Sequence, residues 1–154
     1  MSAQPKVRTC LWFEKNGLDA ARFYVSLLPD SRLEKDYAAG ADPLTVEFHL
    51  AGAPYQILNG GPHYKLSPAA SISVTTEDQA ETDRLWSALV ADGGAESMCG
   101  WLVDRFGVSW QIVPRQLIRM LTDRNREAAA RAQDAMMKMR KIDIGIMETA
   151  FKGN

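Results

Sequence analysis

The sequence predicts an α+β fold made of two copies of one βαβββ unit, followed by a helical C-terminal extension. Three observations carry this. Strand-like and helix-like patterns run in the order strand, helix, three strands, and the order then runs again. The two runs align at a constant offset of 62 residues, with Asp19 on Glu81, Phe23-Tyr24 on Leu85-Trp86, Leu27 on Leu89 and Asp30 on Asp92. The last 40 residues carry helical patterning alone. Two copies mean one duplicated supersecondary unit, since a solenoid needs three or more short repeats. Each copy has a sheet with one face under its own helix, and the second copy can share in covering the other face. The expected organisation is a single domain over residues 1–154. Module one covers about 5–62, module two about 68–114, and the tail 115–154.

In module one, Val7 to Phe13 is the first strand. Val7, Thr9, Leu11 and Phe13 share one face, and Arg8, Cys10 and Trp12 the other. Asn16-Gly17 breaks the strand and can cap a helix over Leu18 to Leu28, with Leu18, Ala21, Val25 and Leu28 on one stripe. Pro29-Asp30 ends that helix. Arg32 to Ala38 supplies the next strand. Leu44 to Leu50 follows, alternating Leu44, Val46, Phe48 and Leu50 against Thr45, Glu47 and His49. Gly52-Ala53-Pro54 reads as a turn, Tyr55 to Asn59 as the last strand, and Gly60-Gly61-Pro62 closes the block.

Module two repeats this order. Ser71 to Thr75 is a strand, and Thr76-Glu77-Asp78-Gln79 has the form of a capping box at a helix start. Thr82, Leu85, Trp86 and Leu89 form that helix's apolar side, and Asp92-Gly93-Gly94 ends it. Short strands are expected at about Glu96 to Cys99, Trp101 to Asp104 and Ser109 to Val113. Asp104-Arg105-Phe106-Gly107 forms the turn between the last two. Trp110 and Ile112 are expected in the core on the helix side. In the tail, Pro114 to Leu121 is a short helix with proline in its first turn. Asp123 can cap a longer helix to about Lys141, striped by Ala128, Ala132, Ala135, Met136 and Met139. Asp143 starts a last segment through Phe151.

Composition bounds the function classes. Hydrophobic residues are 46% and charged residues 24%, as in a globular chain. The net charge is −1, from 18 basic and 19 acidic residues, and gives no electrostatic reason for a nucleic-acid or anionic-membrane partner. Cys10 and Cys99 lie in no CxxC or Cys/His cluster, and read as two reduced core thiols. Met1 to Lys6 has no apolar signal-peptide core, and no apolar run approaches the ~18 residues of a membrane span. A cytoplasmic location is expected.

Four segments carry a family resemblance. They are Cys10-Leu11-Trp12-Phe13, Ala20-Ala21-Arg22-Phe23-Tyr24, Asn59-Gly60-Gly61-Pro62, and the run Trp101 to Pro114, WLVDRFGVSWQIVP. Together they resemble the PhnB-like group of the vicinal-oxygen-chelate superfamily, which holds glyoxalases, bleomycin-resistance proteins and extradiol dioxygenases. The resemblance spans about residues 5 to 150, and such proteins often carry the label 3-demethylubiquinone-9 3-methyltransferase. It implies that the paired modules form a cup-shaped mixed sheet around a small ligand, and that the protein is a homodimer.

The same resemblance implies where metal ligands stand in the superfamily's enzymes. The first-strand ligand falls near Arg8 and the first-module Glu near Gln56. The fifth-strand His falls near Ala69 to Ser71, and the last-strand Glu on Gln111. Arginine stays protonated, alanine has no donor atom, serine is a poor ligand for zinc or iron, and glutamine lacks the charge that holds a divalent cation. The expectation is that the inherited metal site is absent and that no cofactor is bound.

Glu47 and His49 share one strand face two residues apart, as a base or two relocated metal ligands would, or as an exposed polar face would. His63 and Tyr64 follow Gly60-Gly61-Pro62 in a loop that can close over a ligand or lie as a solvent-exposed turn. Cys10, Trp12 and Gln111 should face the same interior as Arg8, as pocket lining or as core packing. Met136, Met137 and Met139 read as a helix stripe in the core or a dimer interface. The only early glycine, Gly17, and the order of elements do not suit a methyltransferase's Gly-rich turn in a doubly wound sheet. No G-x-S-x-G is present, which argues against a hydrolase. The expected function is therefore binding of an unidentified small molecule, with Arg8, Trp12, Gln56 and Gln111 lining the pocket and Arg8 suited to an anionic group. The alternatives are a metal-dependent lyase, isomerase or dioxygenase using Glu47 and His49, and an interaction dimer whose pocket is filled by side chains.

Overall fold

Period-two apolar patterning produces two open sheets in the computed structural model, which describes residues 3–154. Module one runs β1 (Thr9–Phe13), α1 (Gly17–Leu27), β2 (Arg32–Leu33), β3 (Thr45–Leu50) and β4 (Ala53–Asn59). Module two runs β5 (Ser71–Thr76), α2 (Gln79–Val90), β6 (Ala95–Glu96), β7 (Trp101–Val103) and β8 (Ser109–Pro114). The sheet orders are β1-β4-β3-β2 and β5-β8-β7-β6. In each, the first strand lies parallel to the last and the other pairings are antiparallel. The predicted duplication is therefore present strand for strand. The chain divides into two compact units, one ending at Leu66 and one running Ser67–Asn154.

In module one, α1 packs on β3 and β4. Leu11, Phe13, Val46, Phe48, Leu50 and Ile57 form the covered face, all buried. Full burial of Phe48 or Ile57 contributes roughly 1.5–3 kcal/mol each. The helix stripe is Leu18, Ala21, Tyr24 and Leu27, not the expected Val25 and Leu28, which are only half-buried. Tyr24 turns to the sheet because Phe48 meets it there, at 6.4 Å between ring centroids. Gly17 lies so close to β4 that a Cβ would stand 2.4 Å from Ile57 Cγ2.

Two further expectations for module one are corrected. β2 ends at Leu33 rather than Ala38, although Glu34 N–H still donates to Glu47 O (3.0 Å) before the chain leaves the sheet. The β3–β4 turn is Ala51-Gly52, with φ of +47° and +82°, so Ala53 and Pro54 belong to β4. Pairing of β4 with β1 begins at Tyr55, so the missing N–H of Pro54 costs no ladder bond there.

In module two, Thr82, Leu85, Trp86 and Leu89 are the buried side of α2, as expected, and Trp110 and Ile112 are buried. The capping box sits two residues later than the sequence suggests. Asp78 is the N-cap and accepts from Glu81 N–H (2.9 Å), while Glu81 reaches back to Glu77 N–H (3.3 Å). Thr76 is instead a buried strand residue whose hydroxyl bonds Thr82 (2.6 Å). Asp104 organises the β7–β8 turn. Its carboxylate accepts from Phe106 N–H (2.8 Å), Val108 N–H (3.0 Å) and Trp110 Nε1–H (2.9 Å).

The tail forms α3 (Arg115–Leu121), α4 (Arg126–Met136) and α5 (Ile144–Lys152). Leu117, Met120, Ala132, Ile142 and Met147 make its own core. Asn125, not Asp123, caps α4, and α4 stops at Met136 rather than Lys141. Strand β6 likewise stops at Glu96 rather than Cys99. Both shortenings have one cause: Cys99 N–H and Gly100 N–H donate to Met139 O and Arg140 O, each at 2.8 Å. A long-range backbone contact replaces the ends of both local elements. Asp143 caps α5 as expected, accepting from Ile146 N–H (3.0 Å). The two cysteines are free thiols, but Cys10 is exposed and Cys99 half-buried, so neither is a core thiol. Among the described residues no helix is long and apolar enough to cross a membrane.

Candidate functional site

Strand alternation puts the hydrophobic residues of module one under α1 and leaves a polar row on the opposite face. Cys10, Gln56 and Glu47 stand side by side across β1, β4 and β3. Arg32 and His49 are cross-strand partners on β2 and β3. The same module holds a cluster of Arg8, Glu34 and His49. Arg8 donates through Nη2 to Glu34 Oε1 (2.6 Å) and through Nη1 to Tyr55 O (3.2 Å). His49 Nε2 lies 2.7 Å from the same Glu34 oxygen. The three side chains are only 13–17% exposed. Partial burial would raise the Glu34 pKa, but the hydrogen bonds and charges of Arg8 and His49 outweigh it and hold the carboxyl below its ordinary value.

A cavity of about 230 Å³ adjoins the cluster, lined by Ala3, Gln4, Pro5, Arg32, Glu34 and His49. Beside it, Gln56 Nε2 donates to Glu47 Oε1 (3.0 Å). Burial also pushes the Cys10 thiol and the Tyr55 phenol up.

The expected site residues separate into different surroundings. Arg8 joins Glu34 and His49, while Gln56 joins Glu47. Trp12 donates from Nε1 to Gly61 O (2.9 Å) and meets the exposed Tyr64 edge-on at 4.9 Å. His63 is exposed in the same loop. Gln111 belongs to the other unit, where its Nε2 donates to Ser71 Oγ (2.9 Å). Glu47 and His49 do share a face, but each has a different hydrogen-bonding partner.

These contacts test the metal site that the resemblance implies. Of its four positions, Arg8 is a cation in an ion pair, and Gln56 turns its amide N–H toward Glu47. Ser71 and Gln111 bond each other. Such a set offers no carboxylate or imidazole to a divalent cation and does not fit one. Among the described residues no group of three or more His, Cys, Asp or Glu is placed to hold a metal ion.

Sequence reasoning passed over Glu34 and Arg32. Both lie within the strand expected at Arg32 to Ala38, at the same i, i+2 spacing as Glu47 and His49. Two such pairs on adjoining strands are the signal that a hairpin register could have joined.

Residues 5–113 match the family model described as 3-demethylubiquinone-9 3-methyltransferase. The PhnB protein from Bacillus cereus is 28% identical with a TM-score of 0.62, over 71% of this chain and 99% of its own. Protein PA1353 from Pseudomonas aeruginosa shares the fold at 22% identity and a TM-score of 0.58, over 72% of this chain and 98% of its own. No curated protein sequence matches the chain.

Proposed function

We propose that this chain, which belongs to the 3-demethylubiquinone-9 3-methyltransferase family, binds a small polar molecule on the open face of its first module, without the metal centre of the superfamily's enzymes. The observation that carries this reading is the Arg8–Glu34–His49 cluster beside a cavity of about 230 Å³. Convergent, partly desolvated polar groups at a concave surface are what small-molecule sites are built from. In this reading Arg8, Gln56 and Trp12 support the face, and Gln111 plays the corresponding part in the second module.

The family name speaks of methyl transfer, yet the fold offers no support for it. The turn from β1 into α1 contains one glycine, Gly17, and that glycine serves the close approach of α1 to Ile57 and Asn59. It opens no phosphate- or nucleoside-cradling loop of the doubly wound kind. The resemblance further supports a homodimer, and a cytoplasmic location would keep both free thiols reduced.

Elemental mass spectrometry and two-dimensional NMR of the full chain test the reading together. The expected result is no stoichiometric metal, with a small-molecule fragment screen perturbing Arg8, Glu34 and His49. Near-stoichiometric zinc, iron, manganese or nickel that is lost in His49→Ala would overturn it. Sedimentation velocity tests the dimer, and a monomer at micromolar concentration would remove that part.

A further inference from the structure

The charges around the cavity are unequal in a way that selects a ligand class. Among the described residues, Glu34 is the only acidic one in its lining. That carboxylate is already matched by Arg8, which stands behind it at 2.6 Å. Arg32 also lines the cavity and is exposed, and its side chain makes no ion pair or hydrogen bond among the described residues. The cavity therefore carries one uncompensated positive charge on a residue whose planar fork suits bidentate contact with a carboxylate.

Arg32 and His49 are direct cross-strand partners, so their side chains leave the sheet about 5 Å apart. His49 commits Nε2 to Glu34 and leaves its other ring nitrogen without a partner among the described residues. Glu34 likewise leaves Oε2 without one, since both Arg8 and His49 meet Oε1. A hydroxyl can donate to the free Glu34 oxygen and meet the free His49 nitrogen as acceptor or donor, according to the ring's protonation.

Resting on the proposed use of this face, we propose that the site takes a small hydroxycarboxylate, its carboxylate held by Arg32 and its hydroxyl by the Glu34–His49 pair. Arg8 is then a positioning residue that keeps Glu34 ionised and in place, not the anion's partner. A volume of about 230 Å³ lies below that of pockets for drug-sized ligands, so the ligand has few heavy atoms.

Glycolate, its neutral isostere glycolamide and cationic ethanolamine, titrated separately into the isotope-labelled full chain, test this. Glycolate is expected to move the resonances of Arg32, Glu34 and His49 with at least tenfold tighter Kd than glycolamide. Arg32→Gln should abolish that preference, while Arg124→Gln, an exposed change in the other unit, should keep it. If glycolamide or ethanolamine binds the same residues as well as glycolate, the ligand class is wrong and the site stands. If glycolate binds there and Arg32→Gln changes nothing, the role of Arg32 is wrong. If none of the three moves these residues, both the ligand class and the site of the proposed function fall.

Discussion

The two modules share a topology and differ in what their open faces carry. Module one presents ionisable groups, with Arg8, Glu34 and His49 joined around one carboxylate oxygen. Module two presents Ser73, Thr75 and the neutral pair Ser71–Gln111. Its buried carboxylate, Asp104, instead organises a turn and bonds the indole of Trp110. The covered faces tell the opposite story. Tyr24 and Trp86 fall on each other in the repeat, as do Leu27 and Leu89, and all four are buried. Even Asp30 and Asp92 match, both with φ near +55° to +59° at the ends of their helices. Packing of a helix on a sheet constrains the covered side, while the open side is free to diverge into chemistry.

The largest effect is expected at the β7–β8 turn of module two, which a buried carboxylate organises. Asp104→Ala removes the carboxylate that accepts from two backbone N–H groups and from the buried Trp110 N–H. Hydrogen bonds to a charged group are worth roughly 1.5–3 kcal/mol each, so a loss of about 3 kcal/mol or more follows, with Tm down by roughly 10 °C. Differential scanning calorimetry reads this directly, and a shift below 2 °C would show that the turn holds without its carboxylate.

The helix starts sharpen the comparison further. The repeat places Gly17 opposite Gln79, and both open their helices. Gly17 has no room for a side chain, since a Cβ would also come within 2.8 Å of Asn59 Oδ1. Gly17→Ala should cost about 1–3 kcal/mol through overpacking. Gln79 instead uses its side chain as a strap, donating to Ile142 O (3.0 Å) and accepting from Ile144 N–H (2.8 Å). Gln79→Ala should cost about 1–2 kcal/mol. Hydrogen exchange should localise that loss to the start of α5, and protection unchanged there would contradict the strap.

Sequence patterning carried the covered faces of β3 and α2 because alternation and helical period depend only on neighbours along the chain. Val46, Phe48 and Leu50, and the α2 stripe from Thr82 to Leu89, were legible for that reason. What failed depends on distant residues. The ends of β6 and α4 yield to a contact between Cys99-Gly100 and Met139-Arg140, which lie forty residues apart. The α2 cap was misplaced because Thr76 and Asp78 are both good caps, and burial of Thr76 decides between them. The site followed the same rule. Glu47 and His49 were visible as one face, but their true partners were set by strand register: Glu34 from β2's edge for His49, and Gln56 for Glu47.

The smallest expected effect is the pH dependence that Glu34 contributes on the open face of module one. The folded-state pKa of Glu34 lies below its ordinary value, so the unfolded chain binds more protons as acid is added. The stability that Glu34 contributes is fully present above the ordinary carboxylate range. It is lost as pH falls from that range through the lower folded pKa. Urea midpoints measured between about pH 6 and pH 3 should therefore decline in the native chain, and the decline should be shallower in Glu34→Gln by up to one proton's worth of slope. At neutral pH Glu34→Gln should itself cost about 1–2 kcal/mol, because Arg8 and His49 exchange a charged acceptor for a neutral amide oxygen. Gln111→Leu in module two removes only a neutral bond to Ser71 and should leave the acid limb of the curve unchanged. Parallel acid limbs in the native chain and Glu34→Gln would mean that the cluster is solvated in solution, and the contrast between the two open faces would then be one of composition rather than of electrostatics.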